Sequence, residues 1–325
     1  MTYLTLPDTT EHRLSFYLAM EEHAARTLRL ADDAFFMWQV APTVILGRNQ
    51  VIENEVNLDY CRRAGIGVYR RKSGGGCVYA DRSNVMFSYV TRSDQVTCTF
   101  NRYIQMVVDM LHGMGIDASS SGRNDILIGG RKVSGNAFYH TAGYSIVHGT
   151  MLYDTDMQNM VAAITPSVDK LVAKGVQSVR QRIALLKDYT DITLDAFMRH
   201  VRHSLCESEH LLTDDDVAAI ARLEKGYLTD DFIYGHSPAY SVTRRRHIDG
   251  VGEVEVRMTV KGGRIESLNI LGDFFLVGDM DRHVIQPLLG APLRQDTLAA
   301  LLPEGMDDII RGLRTGDLID LLTDH

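Results

Sequence analysis

Two adjacent glycines, Gly129 and Gly130, stand between the strand-like segments at residues 126–128 and 131–133. Glycine accepts the positive φ that a two-residue hairpin turn demands, so this spacing predicts an antiparallel strand pair. A few residues on, Tyr144, Ile146, His148, Thr150 and Leu152 fall on one face of a further strand, and Ser145, Val147, Gly149 and Met151 on the other. The middle of the chain must therefore build a sheet with antiparallel pairing, and the rest has to pack around it.

Helices supply the packing. Leu14, Leu18, Ala25 and Leu28 mark one, ahead of strand-like runs at residues 35–40 and 44–46 that Pro42 separates. Phe100, Tyr103, Ile104, Val107, Val108 and Leu111 recur at helical spacing, and Gly115 sits where that helix would stop. Thr193 is placed to cap a helix carrying Leu194, Phe197, Met198, Val201 and Leu205, and the acidic residues 214–216 open another. Past Pro238 and the basic run 244–246, Val254, Val256, Met258 and Val260 alternate with polar residues up to a Gly262-Gly263 turn. Short helices are expected near residues 284–289 and 309–322. At 325 residues, one large and one small domain fit, so the expectation is a large domain over residues 1–244 and a small one over 245–325.

Composition excludes several classes. A net charge of -8 argues against a protein built to grip nucleic-acid phosphates. The amino terminus has no apolar core run and no Arg-rich stretch, and no apolar segment approaches the length of a bilayer span, so a cytoplasmic protein without membrane partners is expected. Cys61, Cys77, Cys98 and Cys206 are scattered, which favours neither a zinc site nor a disulfide framework.

The residues that suggest chemistry lie in three places. Arg70, Arg71 and Lys72 run into Ser73, Gly74, Gly75 and Gly76, a basic loop whose glycines let backbone N–H groups approach an anion. Neither G-x-G-x-x-G opening a helix nor G-x-x-x-x-G-K-[ST] occurs, so a nucleotide must be held some other way. The hairpin presents Asn124 and Asp125 on one side and Lys132 on the other, an acid suited to a magnesium ion and a cation suited to a transferring group. His148, mid-strand, reads first as a hydrogen-bonded structural residue.

The runs R-R-x-S-G-G-G, G-R-N-D-I with G-x-K-x-S-G-x-A, and H-G-T-x-L together resemble the lipoate-protein ligase family, in its order and spacing. Weaker likenesses at residues 42–57, 170–182, 234–238 and 272–275 extend the match over nearly the whole chain. The resemblance implies an α/β (α+β) fold, with a mixed, largely antiparallel sheet of the biotin and lipoate ligase kind and a small C-terminal α/β domain. It implies an enzyme that uses ATP and Mg2+ to convert lipoate to lipoyl-AMP. The lipoyl group then passes to a lysine of a carrier, either a 2-oxoacid dehydrogenase acyltransferase subunit or the glycine-cleavage H protein. By position it places Arg70, Ser73, Gly74, Gly75, Gly76 and His148 at lipoate. Asn124, Asp125, Lys132, Thr150, Ser178, Val179 and Arg182 fall at the nucleotide, with Asp125 at the metal and Lys132 at the reacting centre. Two departures stand out: Cys77 replaces the family's alanine, and Arg82-Ser83-Asn84 replaces x-Gly-Asn after Asp81. Cys77 favours a rival, an ATP-independent octanoyl or lipoyl carrier-to-carrier acyltransferase, and the residues after 245 favour the ligase. A binding protein that has lost catalysis and a biotin ligase, whose G-R-G-R-x-G-R pattern is missing, are weaker alternatives.

Overall fold

The computed structural model describes residues 1–28, 30–50, 52–93, 96–122, 124–141, 143–164, 181–234 and 242–323. Gly129 and Gly130 take φ of 55° and 73°, the left-handed pair that a tight hairpin turn requires. In chain order the strands of the first part are β1 (Thr2–Thr5), β2 (Ala34–Trp38), β3 (Thr43–Leu46), β4 (Gly67–Arg70), β5 (Val78–Ala80), β6 (Val85–Thr91), β7 (Ala118–Ser120), β8 (Asp125–Ile128), β9 (Arg131–Thr141), β10 (Tyr144–Met151) and β11 (Ser208–Leu211). Eight of them form one mixed sheet in the order β11, β1, β2, β6, β10, β9, β8, β7, while β3 lies between β4 and β5 in a smaller one. The pairs from β2 through to β7 are antiparallel, and β1 is parallel to both its neighbours.

Helices cover both faces. The helix α1 (Leu14–Arg26) buries Leu14, Leu18 and Ala25 against Phe36, Trp38, Met86, Val90 and Ile146. Each of the two leucines, removed from water, contributes roughly 1.5–3 kcal/mol. Two short helices, α2 (Ile52–Glu55) and α3 (Leu58–Ala64), follow. On the other face α4 (Val96–Gly113) buries all six of the residues its periodicity singles out, from Phe100 to Leu111. After α5 (Met157–Ala163), Thr193 caps α6 (Leu194–Leu205) by accepting a hydrogen bond from the Ala196 amide at 3.2 Å.

The acidic run opens α7 (Asp214–Tyr227), where Thr213 and Asp216 form a reciprocal capping box. Asp216 also meets His23 of α1 at 2.8 Å. Burial opposes its charge, but the Thr213 amide and hydroxyl, together with His23, hold its carboxyl below the usual range. A short helix, α8 (Asp230–Tyr234), ends this part.

The chain divides into two compact units, one of Met1–Leu46, Glu53–Arg71 and Val78–Ile233, the other of Gly47–Ile52, Lys72–Cys77 and Tyr234–His325. Residue 245 lies inside the strand β12 (Val242–Ile248), so a division there would cut a sheet. In the second unit β12, β13 (Gly252–Lys261) and β14 (Arg264–Gly272) form an antiparallel sheet whose Val254, Val256, Met258 and Ile270 share a core with Leu298, Leu318 and Leu322. The expected helix near 284–289 is a single widened turn running into Gln286–Leu288. The one expected over 309–322 forms only as Thr315–Thr323, because Gly312 takes a φ of 81° and Ile310 bridges Leu276. A helix at Gln295–Leu301 went unread in the sequence.

Candidate functional site

Sheet register collects four residues of the expected site, Asp125, Lys132, His148 and Thr150, on one face of the large sheet. Trp38, Met86, Thr150, Gly135 and Asp125 are successive cross-strand partners, a single row over β2, β6, β10, β9 and β8. Phe36, Ser88, His148 and Ala137 form the next row. A bulge on β9 between the pairs Ile126–Ser134 and Leu127–Lys132 turns Lys132 to the same face as Asp125.

Lys132 Nζ lies 2.8 Å from Asp125 Oδ1, and both side chains are partly open to solvent. The contact is Coulombic, since Asp125 Oδ1 is buried and makes no aligned hydrogen bond among the described residues. The lysine stem crosses Gly135, where a Cβ would come within 2.7 Å of Cε and Nζ. Any larger residue there would push the ammonium away. The Gly135 amide donates to Thr150 Oγ1 at 3.2 Å, which fixes the buried Thr150 beside it. The chain returns to the same place at Ile183. Ile183 bridges Lys132 in parallel and the Ala184 amide donates to the Lys132 carbonyl at 2.7 Å, so the exposed Arg182 directly precedes that bridge. Ser178 and Val179 lie outside the described residues.

Asn124 is held by a clamp that sequence reading missed. The Asn136 amide and side-chain Nδ2 both donate to the Asn124 carbonyl at 3.0 Å, and Asn124 Nδ2 donates to the Asn136 carbonyl at 3.3 Å. Asn136 fits only because its neighbour on β10 is Gly149, where a Cβ would sit 1.9 Å from Asn136 Oδ1. Gly149→Ala is therefore expected to destabilise by about 1–3 kcal/mol through overpacking. Asn136→Ala should recover part of that loss in the double variant, and thermal melts of the four proteins measure the coupling. Additive losses would show that the clamp does not depend on Gly149.

His148 is bound from behind. Its Nδ1 lies 3.0 Å from both carboxylate oxygens of Glu21, which is fully buried on α1. Ser88 Oγ donates to the same carboxylate at 2.6 Å and receives the Trp38 indole N–H at 2.9 Å. The signal for this network was available: Glu21 interrupts the apolar face set by Leu14, Leu18 and Ala25, and a charge on a buried stripe needs a partner. Tyr103, from the opposite face, has its hydroxyl pushed to higher pKa by burial and by the Glu21 charge.

The basic loop divides. Arg70 and Arg71 are buried, with Arg70 Nε donating to the Ile233 carbonyl at 2.9 Å and an Arg71 guanidinium nitrogen to the Ile45 carbonyl at 3.2 Å. Ser73, Gly74, Gly75 and Gly76 belong to the second unit. Gly75, at φ 87°, donates to the Phe274 carbonyl at 2.9 Å, and a Cβ on Gly74 would meet that oxygen at 2.7 Å. Two of the three glycines thus serve a close backbone approach within the protein itself. The turn at Ser83 needs no glycine: Asp81 Oδ1 receives the Ser83 amide at 2.9 Å and its hydroxyl at 2.5 Å. Cys77 is half-buried.

A family model described as the lipoyl protein ligase A/B catalytic domain matches residues 14–206, and one described as the bacterial lipoate protein ligase C-terminus matches residues 237–322. Among curated proteins, the chain is 33% identical to the lipoate-protein ligase LplJ of Bacillus subtilis, over 94% of this chain and 95% of that one. Among solved structures it is similar to lipoate-protein ligase A bound with ATP, at a TM-score of 0.58 and 28% identity, covering 72% of this chain and 97% of that one. It is also similar to a bi-partite lipoate protein ligase of Thermoplasma acidophilum studied with its E2 lipoyl domain. That match has a TM-score of 0.64 and 29% identity over 74% of this chain and 98% of the other.

Proposed function

The chain belongs to the lipoyl protein ligase A/B family, and from that membership we propose how its own residues carry out the reaction. It is an ATP-dependent lipoate-protein ligase, joining lipoate to ATP as lipoyl-AMP with release of pyrophosphate and passing the lipoyl group to a lysine of a lipoyl domain. The observation that carries the residue assignment is the Lys132–Asp125 pair, set on the hairpin and on the sheet face shared with Thr150 and His148.

A carboxylate attacking the α-phosphorus brings two anions together. At about 4 Å and an effective dielectric of ~20, two unit charges repel by roughly 4 kcal/mol. Lys132 offsets that repulsion, and in the second step its ammonium polarises the acyl carbonyl as the carrier amine adds and AMP departs. Asp125 holds the ammonium aimed across Gly135. A magnesium ion suits Asp125, whose buried Oδ1 makes no aligned hydrogen bond among the described residues. One carboxylate is a common protein share when phosphates complete the shell. Bound there, the ion would neutralise phosphate charge. Asn124, Thr150 and Arg182 take the nucleotide side, and Arg70 and His148 the lipoyl side. Burial of the lipoyl tail contributes roughly 0.8 kcal/mol per methylene.

We further assign the carriers to the acyltransferase subunits of 2-oxoacid dehydrogenase complexes or the glycine-cleavage H protein, and the compartment to the cytoplasm. Among the described residues no helix is long and apolar enough to cross a membrane. Pyrophosphate release from ATP, followed with and without lipoate, is the test. Lipoate-dependent release is expected; carrier-to-carrier transfer without it would favour the ATP-independent acyltransferase.

A further inference from the structure

The large sheet ends at β7, and the composition of that edge is unusual beside a site of chemistry. Natural sheets guard their edges with charged residues, proline or a covering element, because unpaired N–H and C=O groups recruit other strands. The other edge, β11, carries Glu209 paired to Arg202. At β7 the run Ala118, Ser119, Ser120, Ser121, Gly122 has no charge and no proline, and all but Ala118 are exposed; the His112 imidazole donates to the Ala118 carbonyl at 2.7 Å, and Ser120 is the outward position beyond it.

Register ties this edge to the reacting lysine. Ser119 pairs with Leu127, and Leu127 pairs with Lys132, so the three residues form one row across β7, β8 and β9. Which backbone groups face outward follows from the alternation of antiparallel pairs. The Ser121 amide bonds the Asp125 carbonyl inward at 2.9 Å, which places the Ser120 N–H and C=O outward, away from β8.

From this geometry we propose that β7 is the docking edge for the lipoyl carrier. An extended segment of the carrier holding its acceptor lysine would add to the sheet as a ninth strand, through the Ser120 backbone. At strand spacings near 4.8 Å, a residue opposite Ser119 on the added strand stands about 14 Å from the Lys132 backbone. The acceptor lysine on that residue and Lys132 then project from the same face, one from each side, towards an acyl group between them. Small uncharged side chains at 118–122 let the strand approach, and Leu127 provides a half-buried apolar floor. The inference rests on the ligase reading, and its test separates the two.

The full-length enzyme is assayed in two ways, by lipoate-dependent pyrophosphate release without carrier and by transfer to an isolated apo lipoyl domain. Ser120→Pro removes the outward N–H while sparing the inward ladder. It is expected to raise KM for the carrier about tenfold, the size of one lost interface hydrogen bond, and to leave carrier-free pyrophosphate release unchanged. Ser120→Ala keeps the N–H and loses only the hydroxyl that accepts from the Gly122 amide; it should transfer like wild type. Equal carrier KM in Ser120→Pro and wild type, or an equal rise in Ser120→Ala, overturns strand addition here while the ligase reading stands. Loss of lipoate-dependent pyrophosphate release in the wild type would instead remove the reading beneath it. Should Ser120→Pro not fold, hydrogen exchange on the wild type decides: the carrier must slow exchange in the peptide covering 117–122, and unchanged exchange there overturns the proposal.

Discussion

Lys132→Ala is expected to cut lipoyl-adenylate formation by about a hundredfold to a thousandfold, the usual range when one preorganised donor to a developing charge is removed. The side chain is 37% exposed and its partner 27%, so the pair contributes at most about 1 kcal/mol to stability. The melting temperature should therefore barely move while the rate collapses. Lys132→Arg sharpens the test. A guanidinium is a planar fork rather than a compact point charge, and the stem must cross Gly135 where a Cβ already has only 2.7 Å of clearance from the lysine end. Charge alone should restore little activity. Pyrophosphate release and mass-spectrometric detection of the adenylate read both variants, and wild-type turnover in Lys132→Ala would remove Lys132 from the reacting centre.

What could be read in the sequence was local. The hairpin, the α4 helix and the two faces of β10 follow from periodicities of two and of 3.6 and from glycine turns, signals confined to a dozen residues. The alternation that put His148 and Thr150 on one side of β10 is the alternation that aligns them with Ala137 and Gly135. Contacts between residues far apart in the chain were not legible. Gly75 bonds Phe274 across about two hundred positions, and no pattern near residue 75 distinguishes a glycine that embraces a ligand from one that admits a backbone carbonyl. The Asn124–Asn136 clamp and the bulge that turns Lys132 inward depend on register, which composition leaves open. Glu21 was legible as an anomaly on an apolar helix face but not as the partner of His148, 127 residues away.

That anomaly yields the largest expected loss of stability. Glu21 has no exposed surface, and its charge is compensated by the Ser88 hydroxyl at 2.6 Å and by His148 Nδ1 at 3.0 Å. His148→Leu removes one partner and leaves the carboxylate buried, an imbalance that costs about 3 kcal/mol or more. For a unit of this size such a loss lowers the melting temperature by roughly 6–12 °C. Glu21→Gln keeps a hydrogen-bonding group in place without the charge and should cost less. Combined with His148→Leu it should recover stability relative to His148→Leu alone, because the stranded carboxylate is gone. Thermal melts of the three variants decide the matter. A double variant no more stable than His148→Leu would mean that the buried Glu21 carboxylate is held by something other than the imidazole, and the network's hold on this face of the sheet would have to be traced through Ser88 and Trp38 instead.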